Sequence, residues 1–323
     1  MFCYRIIRAN FAESRVASAP VLFRVLCSYP CFEGKHCFMK LSVLIVTWVY
    51  EEWPMLKNNL DALIRHKPDF DWEILLVYNN SGGEELLSKV RERYGDLYGE
   101  GKLIRSYVVG VNRGFNKGCN AGAKHVVGEY LAILNPDIVV EDQKDMEMMV
   151  HHLEQNPDVG LVGPQLHNPD TERTIQFTCT RRYERFTPIY RRTPLGRFGF
   201  ARRSIDRHLM ADFDHQSNRD VDWLMGSCMV LRTSLFRELK GLDERLFIYF
   251  ADYELADRIH DKGLKVRYLA PSSIVHDHQR SSNYGSGFKA LFKTISSKTG
   301  RAHIQDWFIY MKNRALNSYW HNS

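Results

Sequence analysis

Apolar residues along most of the chain fall into short continuous runs that alternate with stretches of helical spacing. Leu41 to Thr47 is an unbroken apolar, β-branched run, the pattern of a strand covered on both faces in a parallel sheet. Glu51 to His66 places Leu56, Leu60, Leu63 and Ile64 at helical spacing, with Pro54 in the first turn where it is tolerated. A strand over Trp72 to Val77, a helix near Glu84 to Tyr94 and a strand over Leu103 to Val109 follow. Then come a glycine-rich turn and helix from Asn112, a buried strand over Tyr130 to Leu134, a helix near Asp142 to Gln155 and a strand over Val159 to Gly163. This alternation predicts an α/β fold with a parallel sheet and right-handed crossovers.

The pattern loosens between Pro164 and about Asp220, which reads as an insertion within one domain. Regular patterning resumes from Val221 to Leu231. A helix from Phe250 to Lys262 has Gly263 placed as its C-cap, and a strand over Leu264 to Leu269 leads to a loop with His276, Asp277 and His278. The tail from Phe288 to Trp320 is helical and amphipathic, with Trp307, Phe308, Tyr310, Met311, Tyr319 and Trp320 among basic residues. Packing on the core and lying on a membrane surface both fit it. Residues 1–38 lack clean periodicity and end just before Met39, and Arg15 and Arg24 interrupt the apolar piece that a secretory signal would need. The expected organisation is a non-core extension over 1–38 with Met39 as the true start, a main α/β domain over 39–285, and a helical segment over 286–323.

No apolar run reaches the roughly 18 residues of a membrane span. The formal charge of +6 is uneven: nine Arg lie between Arg181 and Arg207 against only Glu184 and Asp206. Such a patch suits phosphates, an anionic lipid surface or nucleic acid, or is simply a solvated loop. No recognition motif accompanies it, which argues against nucleic acid. Cys3, Cys27, Cys31 and Cys37 precede Met39, while Cys119, Cys179 and Cys228 show no paired spacing. That usage predicts a reducing, cytoplasmic setting.

Candidate chemistry gathers at one predicted sheet edge, where ligands of open α/β sheets bind. Asn135-Pro136-Asp137 ends a strand, so Asp137 could hold a divalent metal on a nucleotide's phosphates, and His276 follows another strand; a plain turn starting the next helix is the alternative. The turn before the helix at Phe115 could face an anion, though it is neither a dinucleotide fingerprint nor a Walker A loop. Asp252 at a helix start suits either a cap or a general base. Glu254 and Arg258 have the spacing of a surface ion pair.

Taken together, these residues resemble family 2 glycosyltransferases of the GT-A fold, particularly the bacterial rhamnosyltransferase-like branch of O-antigen and surface polysaccharide synthesis. The motifs are Val46-Thr47, Asn79-Asn80-Ser81, the run Asn112, Gly114, Phe115, Gly118, Asn120, Gly122, and Asn135-Pro136-Asp137. Val221-Asp222-Trp223 with Gly226-Ser227, Gly241-Leu242-Asp243-Glu244, Phe250 with Asp252, Glu254 and Arg258, and the His276 loop follow in the family's order. The resemblance implies a Rossmann-like, mostly parallel sheet. It implies that Asp137 and His276 bind the metal, Mg or Mn, and that Asp252 is the base that deprotonates the acceptor hydroxyl. It places Thr47, Asn79, Asn112, Gly114, Asn120 and Asn135 on the nucleotide-sugar side, and Trp223, Gly226 and Glu254 on the acceptor side.

The chain departs from the family where an Asp usually precedes Asn79 (here Tyr78), where an acid often precedes the base (Ala251), and where an aromatic-Asn pair follows Thr47 (Trp48-Val49). The resemblance implies inverting transfer of a deoxyhexose such as rhamnose from a dTDP donor to a saccharide or lipid-linked glycan, with peripheral contact at the inner face of the cytoplasmic membrane. Competing readings are a UDP-sugar donor, a catalytically silent glycan-binding homologue and a metal-dependent phosphoesterase; the last usually needs more carboxylates than gather here.

Overall fold

β1 (Leu41–Thr47) is buried from end to end because it runs between two parallel partners, β2 (Trp72–Tyr78) and β4 (Tyr130–Leu134). Its side chains alternate between two cores, as the two-residue strand period requires. Leu44 and Val46 join Cys119 of the helix α3 (Phe115–Ala123) on one face. Val43 and Ile45 join Leu56, Leu60 and Leu63 of α1 (Trp53–Arg65) on the other. Each such buried Leu or Ile contributes about 1.5–3 kcal/mol relative to exposure. β3 (Ile104–Val108) extends the parallel set beyond β2, and α2 (Glu84–Tyr94) covers it.

The computed structural model describes residues 39–277, apart from positions 82, 183 and 185, and residues 297–316. The expected extension over 1–38 with its four cysteines, His278, and the tail residues Phe288, Tyr319 and Trp320 lie outside the described residues. The sheet order is β3-β2-β1-β4-β10-β6-β11-β5, with β8 (Arg219–Val221) paired to β11. It is mixed, and this is where the structure departs from the simple parallel expectation. β10 (Cys228–Arg232) runs antiparallel between β4 and β6 (Val159–His167). Its register opposite β4 therefore brings Gly226 and Ser227 to the carboxyl end of β4.

β11 (Lys265–His276) is twice the length its apolar run indicated. Pro271 offers no N–H to a ladder, and the pairing with β6 slips there, between Leu269 and Ser273. The strand survives the bulge because Ser273 N–H donates to the buried Asp145 carboxylate at 2.9 Å. Asp145 belongs to the capping box that opens α4 (Gln143–Gln155). Beyond the bulge β11 carries His276 to its last position, opposite Ile138 of β5 (Ile138–Val139). His276 is thus a strand residue and not a loop residue.

The insertion forms a two-stranded ribbon, β7 (Cys179–Thr180) against β9 (Trp223–Leu224), and two short helices, α5 (Thr187–Arg192) and α6 (Gly199–His208). After α7 (Thr233–Glu238), Phe250 in the left-handed region turns the chain into α8 (Ala251–Asp261). The tail helix α9 (Lys298–Leu316) packs on the core. Its Tyr310 is fully buried and donates its hydroxyl to Asp257 at 2.7 Å. Among the described residues no helix is long and apolar enough to cross a membrane, and Cys119, Cys179 and Cys228 are buried free thiols.

Candidate active site

The carboxyl ends of β1, β2, β4 and β11 and the start of β10 share one edge of the sheet, and the expected site residues gather along it. Thr47 ends β1 and donates its hydroxyl to Glu52, which also accepts from Trp48 N–H at 3.1 Å. Burial raises the Glu52 carboxyl above its ordinary range, and the charge of Asp137 adds to the effect. Asn79 follows β2, is buried, and donates to the Gly114 carbonyl at 2.9 Å. Asn112 Oδ1 accepts from Gly114 N–H at 3.0 Å, so the β2 end and the turn before α3 are tied together. Gly114 has φ +100°, and a Cβ there would lie 2.5 Å from the Phe247 carbonyl oxygen. Only glycine fits that close backbone approach.

Asn135, Pro136 and Asp137 turn sharply after β4. The turn is held from below by Asn59, a buried Asn on the apolar face of α1, whose amide donates to the carbonyls of Asn135 at 3.2 Å and Ile138 at 2.8 Å. Asn135 N–H donates to the Ser227 carbonyl at 2.9 Å, and Asp277 N–H donates to the Asp137 carbonyl at 2.9 Å. Three chain segments converge on Asp137.

Asp137 Oδ2 lies 3.5 Å from His276 Nε2, and Asp137 Oδ1 is buried without a hydrogen-bond partner. The imidazole is oriented by Gln176. Its Oε1 is 2.8 Å from His276 Nδ1, while its Nε2 donates to the His276 carbonyl and to Asn168 Oδ1, each at 2.9 Å. Because those two partners are pure acceptors, the amide orientation is fixed and its oxygen faces the ring. Nδ1 is then the ring's donor to Gln176, and Nε2 faces the Asp137 carboxylate. Two electron-pair donors facing one another, with a second carboxylate oxygen unpartnered, fit a cation between them. Among the described residues no group of three or more His, Cys, Asp or Glu gathers to hold an ion. Two protein donors suit a hard divalent ion that takes its remaining oxygens from a diphosphate and water.

Asp252 sits in the first turn of α8. Its Oδ2 accepts from Gly226 N–H and its Oδ1 from Tyr253 N–H, each at 3.0 Å. Burial dominates these bonds and pushes its carboxyl up to about 6. Ser227, which binds Asn135, is the next residue after Gly226, which binds Asp252; the Gly226-Ser227 pair therefore bridges the turn bearing Asp137 to the helix bearing Asp252.

Other expected residues stand further back. Asn120 is taken up by the loop after α7, donating to the Leu242 carbonyl at 2.8 Å and accepting from its N–H at 2.8 Å. Glu254 pairs with Arg258 at 2.6 Å, and Arg258 also donates to the Gly241 carbonyl at 2.8 Å. Trp223 is fully buried, with its ring centroid 4.2 Å from that of Tyr253 and its indole N–H donating to Asp257 at 3.1 Å. Its place is beneath α8, which it supports, and not at the sheet edge where the resemblance put it. Tyr78 is buried under the turn after β2, where a Cβ on Gly83 would lie 2.3 Å from its ring.

Gln176, Asn59, Glu52 and Asp257 are not singled out by any motif in the sequence. An Asn at a core position of α1 was a readable signal; Gln176, in the loosely patterned insertion, gave none.

Residues 43–239, more than half of the chain, match the family described as Glycosyl transferase family 2. The chain belongs to glycosyl transferase family 2. Among curated relatives of this family 2 member, the O-antigen biosynthesis protein RfbC of Myxococcus xanthus is 28% identical over 286 residues, which are 86% of this chain and 20% of that protein. The N-acetylglucosaminyl-diphospho-decaprenol L-rhamnosyltransferase of Mycobacterium tuberculosis is 26% identical over 156 residues, 48% of this chain and 49% of the relative. The chain thus spans about a fifth and about half of the lengths of these relatives. Both names agree with the rhamnosyltransferase-like branch. A crystal structure of GalNAc-T7 with UDP, GalNAc and Mn2+ superposes with a TM-score of 0.55 at 17% identity, covering 75% of this chain and 44% of that one. That likeness agrees with the GT-A fold.

Proposed function

We propose that this family 2 member is an inverting, metal-dependent glycosyltransferase that moves rhamnose from dTDP-rhamnose to a lipid-linked glycan in surface polysaccharide or O-antigen synthesis, working at the inner face of the cytoplasmic membrane. The observation that carries the reading is the Gly226-Ser227 pair, which joins a metal-competent acid, Asp137, to a half-buried base, Asp252, along one sheet edge. The sugar and acceptor classes are supported by the relatives' names, and a metal with a nucleotide by the Mn2+ and UDP that GalNAc-T7 holds.

In this reading Asp137 and His276 would hold Mg or Mn at the donor diphosphate. The ion, when bound, neutralises negative charge that builds on the departing nucleoside diphosphate. Thr47, Asn79, Asn112, Gly114 and Asn135 border the donor, with Asn120 bracing the loop behind them. Asp252 takes the proton of the acceptor hydroxyl. A carboxylate lifted to about 6 is a better base than an exposed one and is still ionised at neutral pH. The acceptor oxygen bonds to the anomeric carbon as the bond from that carbon to the diphosphate oxygen breaks. One base and one displacement invert the anomeric configuration. Gly226 lines the acceptor side, with Glu254 and Trp223 behind it as supports of α8.

A screen of nucleotide sugars with Mn2+ or Mg2+ and a polyprenyl-diphosphate glycan tests the reading. It predicts acceptor-dependent release of dTDP from dTDP-rhamnose. Release from no donor in the screen would refute it.

A further inference from the structure

Between β7 and β9, the α5–α6 hairpin buries two hydroxyl side chains while leaving several large apolar ones exposed. Within the α5–α6 hairpin, Thr187 and Ser204 are buried and share a hydrogen bond at 2.6 Å, and Ser204 donates to Glu184 at 2.7 Å. Phe186, Ile189, Leu195, Phe198 and Phe200 are instead 42–59% exposed. The rings form one continuous patch: Phe198 stacks on Phe200 at 6.1 Å, and Phe200 meets Tyr190 edge-on at 5.7 Å. Five large apolar side chains exposed within fifteen positions exceed what scattered surface residues explain.

Cations surround this patch. Among the described residues, Arg202 and Arg207 are matched by Asp206 and Glu184, whereas the exposed Arg197 and Arg203 have no carboxylate partner. Apolar side chains interleaved with unmatched cations are what a headgroup–acyl boundary rich in anionic lipid accommodates. The hairpin is also rooted on the acceptor side. Arg182 N–H donates to Asp222 at 2.8 Å, Arg182 pairs with Asp257 of α8 at 3.4 Å, and His208 lies edge-on to Trp223 at 6.1 Å. The tail helix also meets Asp257, through Tyr310 at 2.7 Å, but among its described residues the outward line, Arg301, Gln305, Phe308 and Lys312, carries one large apolar side chain.

We infer that the α5–α6 hairpin, and not the tail helix, is the surface on which this chain rests on an anionic bilayer, with Phe198 and Phe200 entering the interface and Arg197 and Arg203 meeting lipid phosphates. The inference rests on the proposed lipid-linked acceptor, since that substrate would then reach Asp252 from the side on which the hairpin is rooted.

Flotation of the full chain with vesicles of phosphatidylcholine, with and without phosphatidylglycerol, tests it. Binding is expected only with the anionic lipid and is expected to weaken with salt. Combined Phe198→Ser and Phe200→Ser should weaken it by about tenfold or more, as should combined Arg197→Glu and Arg203→Glu, while Phe308→Ser leaves it unchanged. Circular dichroism melts of each variant report folding, and the arginine pair, which is exposed, serves if the phenylalanine pair does not fold. No binding by the wild type, equal binding by either hairpin variant, or loss in Phe308→Ser would overturn the inference. So would a wild-type dimer in sedimentation that dissociates on Phe198→Ser, since a second copy would then own the patch. Donor turnover with a soluble glycan acceptor is read in parallel: turnover without vesicle binding sinks only the hairpin, and vesicle binding without turnover sinks only the proposed transferase activity.

Discussion

Gly226 N–H donates to Asp252 Oδ2 at 3.0 Å, and that one bond fixes the proposed base against the loop that also holds the turn bearing Asp137. An Asn at position 252 keeps an oxygen for the Gly226 amide, gives up only the acceptor for Tyr253 N–H, a loss of about 1 kcal/mol, and cannot take a proton. Asp252→Asn should therefore fold normally and lose transfer by about 10²–10⁴-fold. Nucleotide release and a thermal melt, measured on the same preparation, check both halves.

The pH dependence follows from the same carboxylate. Burial places its ionisation at about 6, so the active, deprotonated form is lost as pH falls through that value. Transfer should rise with pH along a limb centred near 6 and level off above it. In Asp252→Glu a residual rate should show a displaced limb, whereas an unchanged limb would assign the ionisation to another group.

Gln176 holds the His276 ring through Nδ1 at 2.8 Å. Gln176→Leu removes the acceptor that fixes the tautomer and should weaken Mn2+ binding by about 10–100-fold, as loss of an outer partner of a metal-bound histidine does. Nitrogen NMR of the imidazole in the metal-free protein should show one tautomer in the wild type and a mixture in the variant.

These residues differ in how far sequence reveals them. Asp137 and Asp252 were legible because each sits at a local landmark, a strand end and a helix start. Gln176 was not, because its partner is 100 residues away and its neighbourhood has no periodicity. The strands were legible from their apolar runs, but the antiparallel sense of β10 was not, since one buried strand reads alike in either direction. Pro271 hid the second half of β11, which continues only because the buried Asp145 receives the Ser273 amide.

Asp306 of the tail helix is fully buried and accepts the N–H groups of Phe247, Ile248 and Tyr249 at 2.9, 3.0 and 2.9 Å. Asp306→Ala would leave three amides without that acceptor, at a cost of about 3 kcal/mol or more. The variant should unfold at lower denaturant concentration, and it should lose donor affinity too, because Phe247 is the residue against which Gly114 packs. Asn313→Ala, which removes a single bond to Asp243, should cost about 1 kcal/mol.

Gly114→Ala places a Cβ 2.5 Å from a backbone oxygen at φ +100°. A strained backbone and a clash that no rotamer relieves should cost about 2 kcal/mol or more. The donor-side turn should shift, raising the donor KM more than it lowers the stability midpoint.

On the proposed function, one edge of the sheet carries two separable chemistries, a metal-held donor at Asp137 and a base at Asp252. Calorimetric titration of dTDP in the presence of Mn2+, paired with a transfer assay, tests it on the wild type, Asp137→Asn and Asp252→Asn. Asp252→Asn should bind the nucleotide as the wild type does, Asp137→Asn should bind it at least about tenfold more weakly, and neither should transfer sugar. Wild-type transfer by Asp252→Asn, or wild-type nucleotide binding by Asp137→Asn, would contradict the account.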